Sequence, residues 1–319
     1  MPLRRKLLLL LASARVANLP SVVCNVWLGV ALGVLFCPPL PPATYWPAAL
    51  QLAVAAILLY VAGNFLNDWH DRHWDAQHRP ERALPQGAFG SGLYLGLAIC
   101  CGLAGVAVAG CTSAGSGGVA ALIVGCVLIY TRHHKQTAWA VLMMGSCRAL
   151  LPLLFLIEWP LGGMWTGASP GGTPHQLLFI ATPALALMLY IAALSWLARA
   201  ESVAPPPAAN RLDGRLPLAL SGLVMAAVFL RHDPLLGMLG LLPFAAWLGL
   251  CFTRYRRPLP MQISALLAGL PLLDWVFLLP LSFGLISHGQ ANPFYLTCLL
   301  LPPLAVLSGR CLQRLAAAT

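Results

Sequence analysis

Long apolar stretches follow one another along the whole chain, each closed by a few polar or basic residues. Their continuity, without strict alternation, predicts helices rather than strands, because an alternating in–out pattern is what a membrane barrel requires. The stretches fall near 19–37, 46–67, 91–110, 117–131, 136–157, 175–198, 214–231, 234–252, 262–286 and 292–312. Most approach the ~20 residues that span a bilayer's hydrocarbon core. They predict ten crossings, or nine if 214–252 forms a single irregular hairpin element. Proline and glycine punctuate the connections, as in "CPPLPPATY", "WPLGGMWTGASPGGTP" and "SVAPPPAANRLDGR". No internal repeat stands out, so residues 1–319 are read as a single domain. The expected fold is an all-α polytopic membrane protein.

Composition agrees with this reading. Of the 319 residues 59% are hydrophobic and only 9% are charged, against about 25% charged in soluble domains. The leading "MPLRRKLLLLLASARVANLP" looks like a signal peptide, but Arg15 interrupts it and another apolar run follows, so it is read as a retained interfacial segment. The ten cysteines form no C-x-x-C pair and lie mostly in apolar runs, as small buried hydrophobes do.

The net charge of +10 raises the question of a nucleic-acid partner, but the basic residues form no soluble patch. They settle orientation instead. With Arg4, Arg5 and Lys6 in the cytoplasm, the same side receives Arg72, Arg79, Arg82, Arg132, Lys135, Arg199, Arg211, Arg215, Arg254, Arg256 and Arg257. The opposite side receives only Arg231, as the positive-inside bias requires. The expectation is a multi-pass protein of the inner, cytoplasmic membrane with its N-terminus and any polar site on the cytoplasmic side.

One stretch breaks the avoidance of charge: "NFLNDWHDRHWDAQHRPERALPQG", residues 64–87, holds four of the nine carboxylates, Asp68, Asp71, Asp75 and Glu81. Asn64, the adjacent pair Asn67/Asp68, Asp71 and Asp75 recur at steps of three or four, which places them on one helical face at the end of the second span. Acids so close repel one another, and a divalent cation would reconcile them; hard oxygen ligands suit Mg²⁺. Arg79 and Arg82 follow, cations whose geometry suits phosphate oxygens. The competing reading is a solvated charged loop that ends a span.

The stretch resembles the first signature of the UbiA superfamily of intramembrane prenyltransferases, N-x-x-x-D-x-x-x-D, met by Asn67, Asp71 and Asp75 and continued by "RPERALPQG". "YTRHHKQT", residues 130–137, resembles that superfamily's tyrosine–lysine element. The likeness covers essentially the whole chain and implies a UbiA-like bundle around a central polar cavity. It further implies transfer of a prenyl group from a prenyl diphosphate to an aromatic or other small acceptor, with Mg²⁺ as cofactor. By that resemblance Asn67, Asp68, Asp71 and Asp75 hold the metal-bound diphosphate, Lys135 contacts it, and Asn64, Arg79 and Arg132 assist. Membrane lipids and a lipid or aromatic acceptor are the implied partners, and no nucleic acid. His133 and His134 are expected to be solvated loop residues. Arg148, within an apolar run, is read either as part of the polar cavity, binding diphosphate, or as a structural pairing group. Asp274 is equally divided between a functional role and a protonated or hydrogen-bonded structural one.

The superfamily's second acidic signature, D-x-x-x-D, has no counterpart. Its position reads "YIAALSWLARAESVAPPP", leaving Ser195, Arg199 and Glu201, with Asp213 farther on. Glu201 is the remaining candidate metal ligand there, and Arg199 the candidate fixed charge standing in for a cation. "RPER", the histidine–lysine pair, "CRALL" and "AR-x-E" together resemble the divergent EboC-like branch. Two other functions stay open at this point: a carrier that binds polyprenyl phosphate or another lipid without chemistry, and a non-catalytic partner in a metabolite-export pathway.

Overall fold

A computed structural model describes residues 1–36, 42–158, 174–199, 214–287 and 293–315. Glu201 and Asp213 lie outside the described residues.

The apolar runs are helical throughout. After α1 (Leu3–Ser13) and a short 3-10 turn (Val16–Asn18), the chain forms α2 (Leu19–Phe36), α3 (Pro42–His78), α4 (Ser91–Thr112) and α5 (Ala114–His133). Then follow α6 (Ala140–Leu156), α7 (Pro174–Arg199), α8 (Arg215–His232) and α9 (Pro234–Thr253). The last three are α10 (Leu259–Ala268), α11 (Leu270–Ser287) and α12 (Pro293–Gln313). Among the described residues nine segments are long and apolar enough to cross a membrane, α10 and α11 counting as one, and α6 is a shorter apolar helix. The 214–252 stretch is therefore two full helices. Asp233 joins them, its carboxylate accepting from the Leu235 and Leu236 amides at 3.1 Å.

Three boundaries differ from the apolar pattern for local reasons. α3 is 37 residues, roughly 55 Å at 1.5 Å per residue, so its last turns project beyond the hydrocarbon carrying the acidic face. Pro80 ends it, since the residue before a proline resists the helical region. α6 starts at Ala140, later than its apolar run, because 134–139 winds into turns closed on the His133 carbonyl by the Gln136 and Thr137 amides at 3.0 Å. The ninth apolar run breaks at Gly269, where Pro271 opens the next helix.

The core joins α2, α3, α6, α7 and α11 through Leu28, Leu52, Phe155, Leu187 and Phe277, all fully buried. A smaller cluster packs α1 and the 83–98 segment onto α3 through Ala14, Phe65, Ala83 and Tyr94, with Ser13 Oγ 2.7 Å from the Tyr94 hydroxyl. That cluster fixes where the residue after Ala14 emerges, which matters for the site.

Candidate functional site

Along α3, Tyr60, Asn64, Asn67, Asp71 and Asp75 line one cavity of ≈ 440 Å³. The single stripe follows from their three- and four-residue spacing. α5 and its following loop contribute Tyr130, Thr131, His134 and Lys135, α6 contributes Arg148, and α7 contributes Ser195 and Arg199. Arg79 and Arg82 close the acidic end, while Leu59, Ile123, Val127, Leu151 and Leu267 make the deeper wall apolar.

At the mouth each aspartate meets chain cations directly. Asp71 accepts from Lys135 Nζ at 2.8 Å and lies 3.2 Å from His134 Nε2, with His70 Nδ1 at 3.4 Å. Asp75 accepts from Arg82 at 2.8 Å, and Asp68 lies 3.3 Å from both Arg82 and Arg15. Burial of the three acids, at 6% (Asp68), 6% (Asp71) and 2% (Asp75) exposure, explains the pairing, because uncompensated buried charges cost several kcal/mol each. Lys135 also rests over the Trp74 ring at 4.3 Å, and Arg79 over the same ring at 5.9 Å. Arg199 donates to the His134 and Thr137 carbonyls at 2.8 and 2.7 Å, clasping the loop that presents Lys135.

Arg15 was not foreseen as a site residue. It takes a left-handed backbone, φ 48°, which costs a non-glycine residue roughly 1–2 kcal/mol. This elbow turns its guanidinium onto α3, where it donates to Asn64 Oδ1 at 2.6 Å and Asp68 Oδ1 at 3.3 Å. Burial works against its charge, but the Asp68 carboxylate, together with Tyr60, Tyr130 and Asp75, outweighs it and holds its pKa above the ordinary arginine value. The sequence carried one sign of it, a lone arginine interrupting an apolar run. Gly87 supplies the other tight turn, at φ 64°, where "RPERALPQG" folds back toward α4 and Gln86 accepts from Arg5 at 3.1 Å.

The floor is built differently. Arg148 donates to Asn25 Oδ1 at 2.9 Å, and Asn25 Nδ2 donates to Asp274 Oδ2 at 2.8 Å. Asn25 and Asp274 are fully buried, and the Arg148 guanidinium lies 5.2 Å from the Tyr60 ring centroid. Tyr60 in turn accepts from Asn18 at 3.0 Å. Asp274 is thus hydrogen-bonded within the bundle, and Arg148 both pairs with Asn25 and lines the cavity.

Other sequence readings fare unevenly. Asn64, Asn67, Asp71, Asp75, Arg79, Lys135, Arg148 and Arg199 converge on the cavity. Asp68 does not line it and instead fastens Arg15 and Arg82. Arg132 is exposed, and the cavity wall passes from Thr131 to His134 without it. His134 is no solvated loop residue: its side chain is 15% exposed and stacks on Tyr130 at 5.0 Å while meeting Asp71.

The donors present suit Mg²⁺. Asn67 Oδ1 is buried with no hydrogen-bond partner among the described residues, and Asp71 and Asp75 follow one and two turns on along the same wall. No group of three His, Cys, Asp or Glu able to hold an ion by itself occurs among the described residues. Mg²⁺ needs no such group, since it takes one or two carboxylates and completes its shell with water and phosphate, and Asn67, Asp71 and Asp75 would fit it.

Residues 26–277 match the model of the UbiA prenyltransferase family. The chain belongs to the UbiA prenyltransferase family. A solved digeranylgeranylglyceryl phosphate synthase shares the UbiA fold with it at TM-score 0.54 and 14% identity, over 89% of this chain and 99% of that one. An apo UbiA homolog from Aeropyrum pernix K1 overlays at TM-score 0.49 and 15% identity, over 93% of this chain and 98% of that one. No curated protein matches the chain. It is an integral multi-pass membrane protein of this family.

Proposed function

We propose that this chain is a Mg²⁺-dependent prenyltransferase that moves a prenyl group from a prenyl diphosphate to an aromatic or other small acceptor. One observation carries the reading: Asp71 on α3 and Lys135 on the α5–α6 loop meet at 2.8 Å, at the charged mouth of a cavity whose deeper wall is apolar. A ligand with an anionic head and a hydrocarbon body matches that polarity.

Asn67, Asp71 and Asp75 would hold Mg²⁺, which when bound supplies charge neutralisation to the leaving diphosphate. The chain's own cations do the rest. Lys135, its side chain 34% exposed beside Asp71, reaches phosphate oxygens from its open side, with Arg79 alongside. Arg199 holds the Lys135 loop in place through the two carbonyls it clasps. The allylic C–O bond breaks with its electron pair passing to diphosphate, the acceptor forms the new bond to C1, and the proton it sheds passes to water at the mouth. Fixed donors aimed at the developing anion are worth ~10²–10³-fold each in comparable sites. The apolar wall keeps water from the cationic carbon. The positive-inside distribution of arginines favours a mouth on the cytoplasmic side of the inner membrane.

A second reading is a polyprenyl phosphate carrier, favoured by the absence of a second aspartate pair and by chain cations already seated on all three mouth acids. Purified protein with labelled prenyl diphosphates and an acceptor panel separates the two. Mg²⁺-dependent diphosphate release that disappears in Asp71→Ala supports transfer. Saturable binding without release supports the carrier, and equal behaviour of wild type and Asp71→Ala sinks both.

A further inference from the structure

α1 is too short to cross a bilayer. Its 11 residues rise roughly 16 Å, about half the thickness of the hydrocarbon core. Its end is fastened beside the cavity mouth, where Ser13 Oγ lies 2.7 Å from the Tyr94 hydroxyl and the Ala14 carbonyl accepts from Asn64 at 3.2 Å. Leu9 and Leu10 pack onto the small cluster around Phe65 and Tyr94. Leu3 and Leu7, one turn apart, are instead 83% and 54% exposed. Arg4 and Arg5 between them are exposed too, Lys6 is half-buried, and residues 1–18 contain no acid. Arg5 meets a neutral amide, that of Gln86, at 3.1 Å. The same rim gathers more positive charge. α12 ends against it, since a Cβ on Gly309 would stand 3.1 Å from the Ala17 carbonyl oxygen. Arg310 on α12 then lies over the Tyr255 ring at 4.9 Å, in the turn where Arg254, Arg256 and Arg257 are exposed.

We propose that α1 lies in the plane of the leaflet at the cavity mouth and docks on anionic phospholipids. Leu3 and Leu7 enter the acyl region, while Arg4, Arg5 and Lys6 meet the headgroup phosphates. The bias of basic residues to one side of a membrane accounts for the charges. It does not account for leucines laid bare beside them on a helix that does not cross. An exposed apolar row flanked by cations is what binds a short helix to an interface, and each lysine or arginine there strengthens attraction to an anionic leaflet about fivefold. The arginines of the 254–257 turn add to the same field. A free phosphate would satisfy the cations but leave both leucines in water, so the occupant is a lipid. The surface is independent of the chemistry in the cavity.

The test follows amide hydrogen exchange of the full-length protein in nanodiscs of phosphatidylcholine alone and of equal parts phosphatidylcholine and phosphatidylglycerol. With the anionic lipid, the α1 amides are expected to exchange about fivefold or more slowly, the effect of a single cation at a charged leaflet. Arg4→Gln/Lys6→Gln is expected to remove most of that slowing, and Leu3→Ser/Leu7→Ser to speed exchange in both bilayers. The amides of α3 serve as the internal reference, and their unchanged exchange shows that the bundle of each variant is intact. Arg231→Gln, in the last turn of α8, is expected to keep the full response. Equal exchange of α1 in the two bilayers, or an undiminished response in Arg4→Gln/Lys6→Gln, overturns the proposal. So does inorganic phosphate that reproduces the slowing in phosphatidylcholine alone, which would make the cations a site for free anions.

Discussion

The mouth and the floor of the cavity handle buried charge in opposite ways. At the mouth, Asp68, Asp71 and Asp75 touch arginine or lysine directly at 2.8–3.3 Å, near solvent. At the floor, Arg148 and Asp274 are linked only through Asn25, whose amide accepts from one and donates to the other. A direct pair beside water is exchangeable: an incoming phosphate can take an acid's place on a cation, and a metal a cation's place on an acid. A relay in a dry interior has no such substitute, and its loss leaves stranded charge. The mouth is therefore suited to ligand exchange and the floor to holding α2, α6 and α11 in register.

The comparison breaks most decisively at the floor. Asp274→Ala leaves Arg148 and Asn25 without their terminal acceptor and is expected to cost about 3–5 kcal/mol of stability, read by thermal unfolding in detergent. Replacing Arg148, Asn25 and Asp274 together by apolar residues of similar volume should recover most of that loss, because a buried polar group left half-paired is worse than none. At the mouth, Asp71→Ala should leave unfolding comparatively unmoved and lower turnover by ~10²–10³-fold, about 2.7–4 kcal/mol in the barrier; wild-type turnover in this variant would remove Asp71 from the machinery. Arg15→Ala withdraws charged hydrogen bonds from Asn64 and Asp68 at about 1.5–3 kcal/mol in all. Its effect should fall on the donor's KM more than on kcat, with Arg15→Lys intermediate. The smallest change is Arg132→Ala, expected within about 0.5 kcal/mol on stability and without effect on donor binding, since Arg132 is exposed and outside the cavity wall.

What could be read from the sequence was what repeats locally. Apolar runs located the helices because lipid demands continuous burial of the backbone. The acidic stripe was legible because 64, 67, 71 and 75 obey the helical period. Pairings across the bundle were not, because nothing local encodes them: Asn25 and Asp274 lie 249 positions apart, and Arg15 reaches Asn64 only through a backbone elbow. His134 and Arg132 sit two positions apart in a basic stretch, and only the fold turns one onto Asp71 and the other to solvent. The UbiA signature was legible as a set of residues, but the division of labour within it was not, since Asp68 faces the arginines while its neighbours face the cavity.

The elbow at Arg15 has a practical corollary for handling the protein. The leading amphiphilic segment is tied to the mouth of the cavity through the Arg15 guanidinium and the Ala14 carbonyl, which accepts from Asn64 at 3.2 Å, so a purification handle or fusion partner attached ahead of it pulls on that mouth. Reconstitution and labelling are better anchored at the carboxyl end.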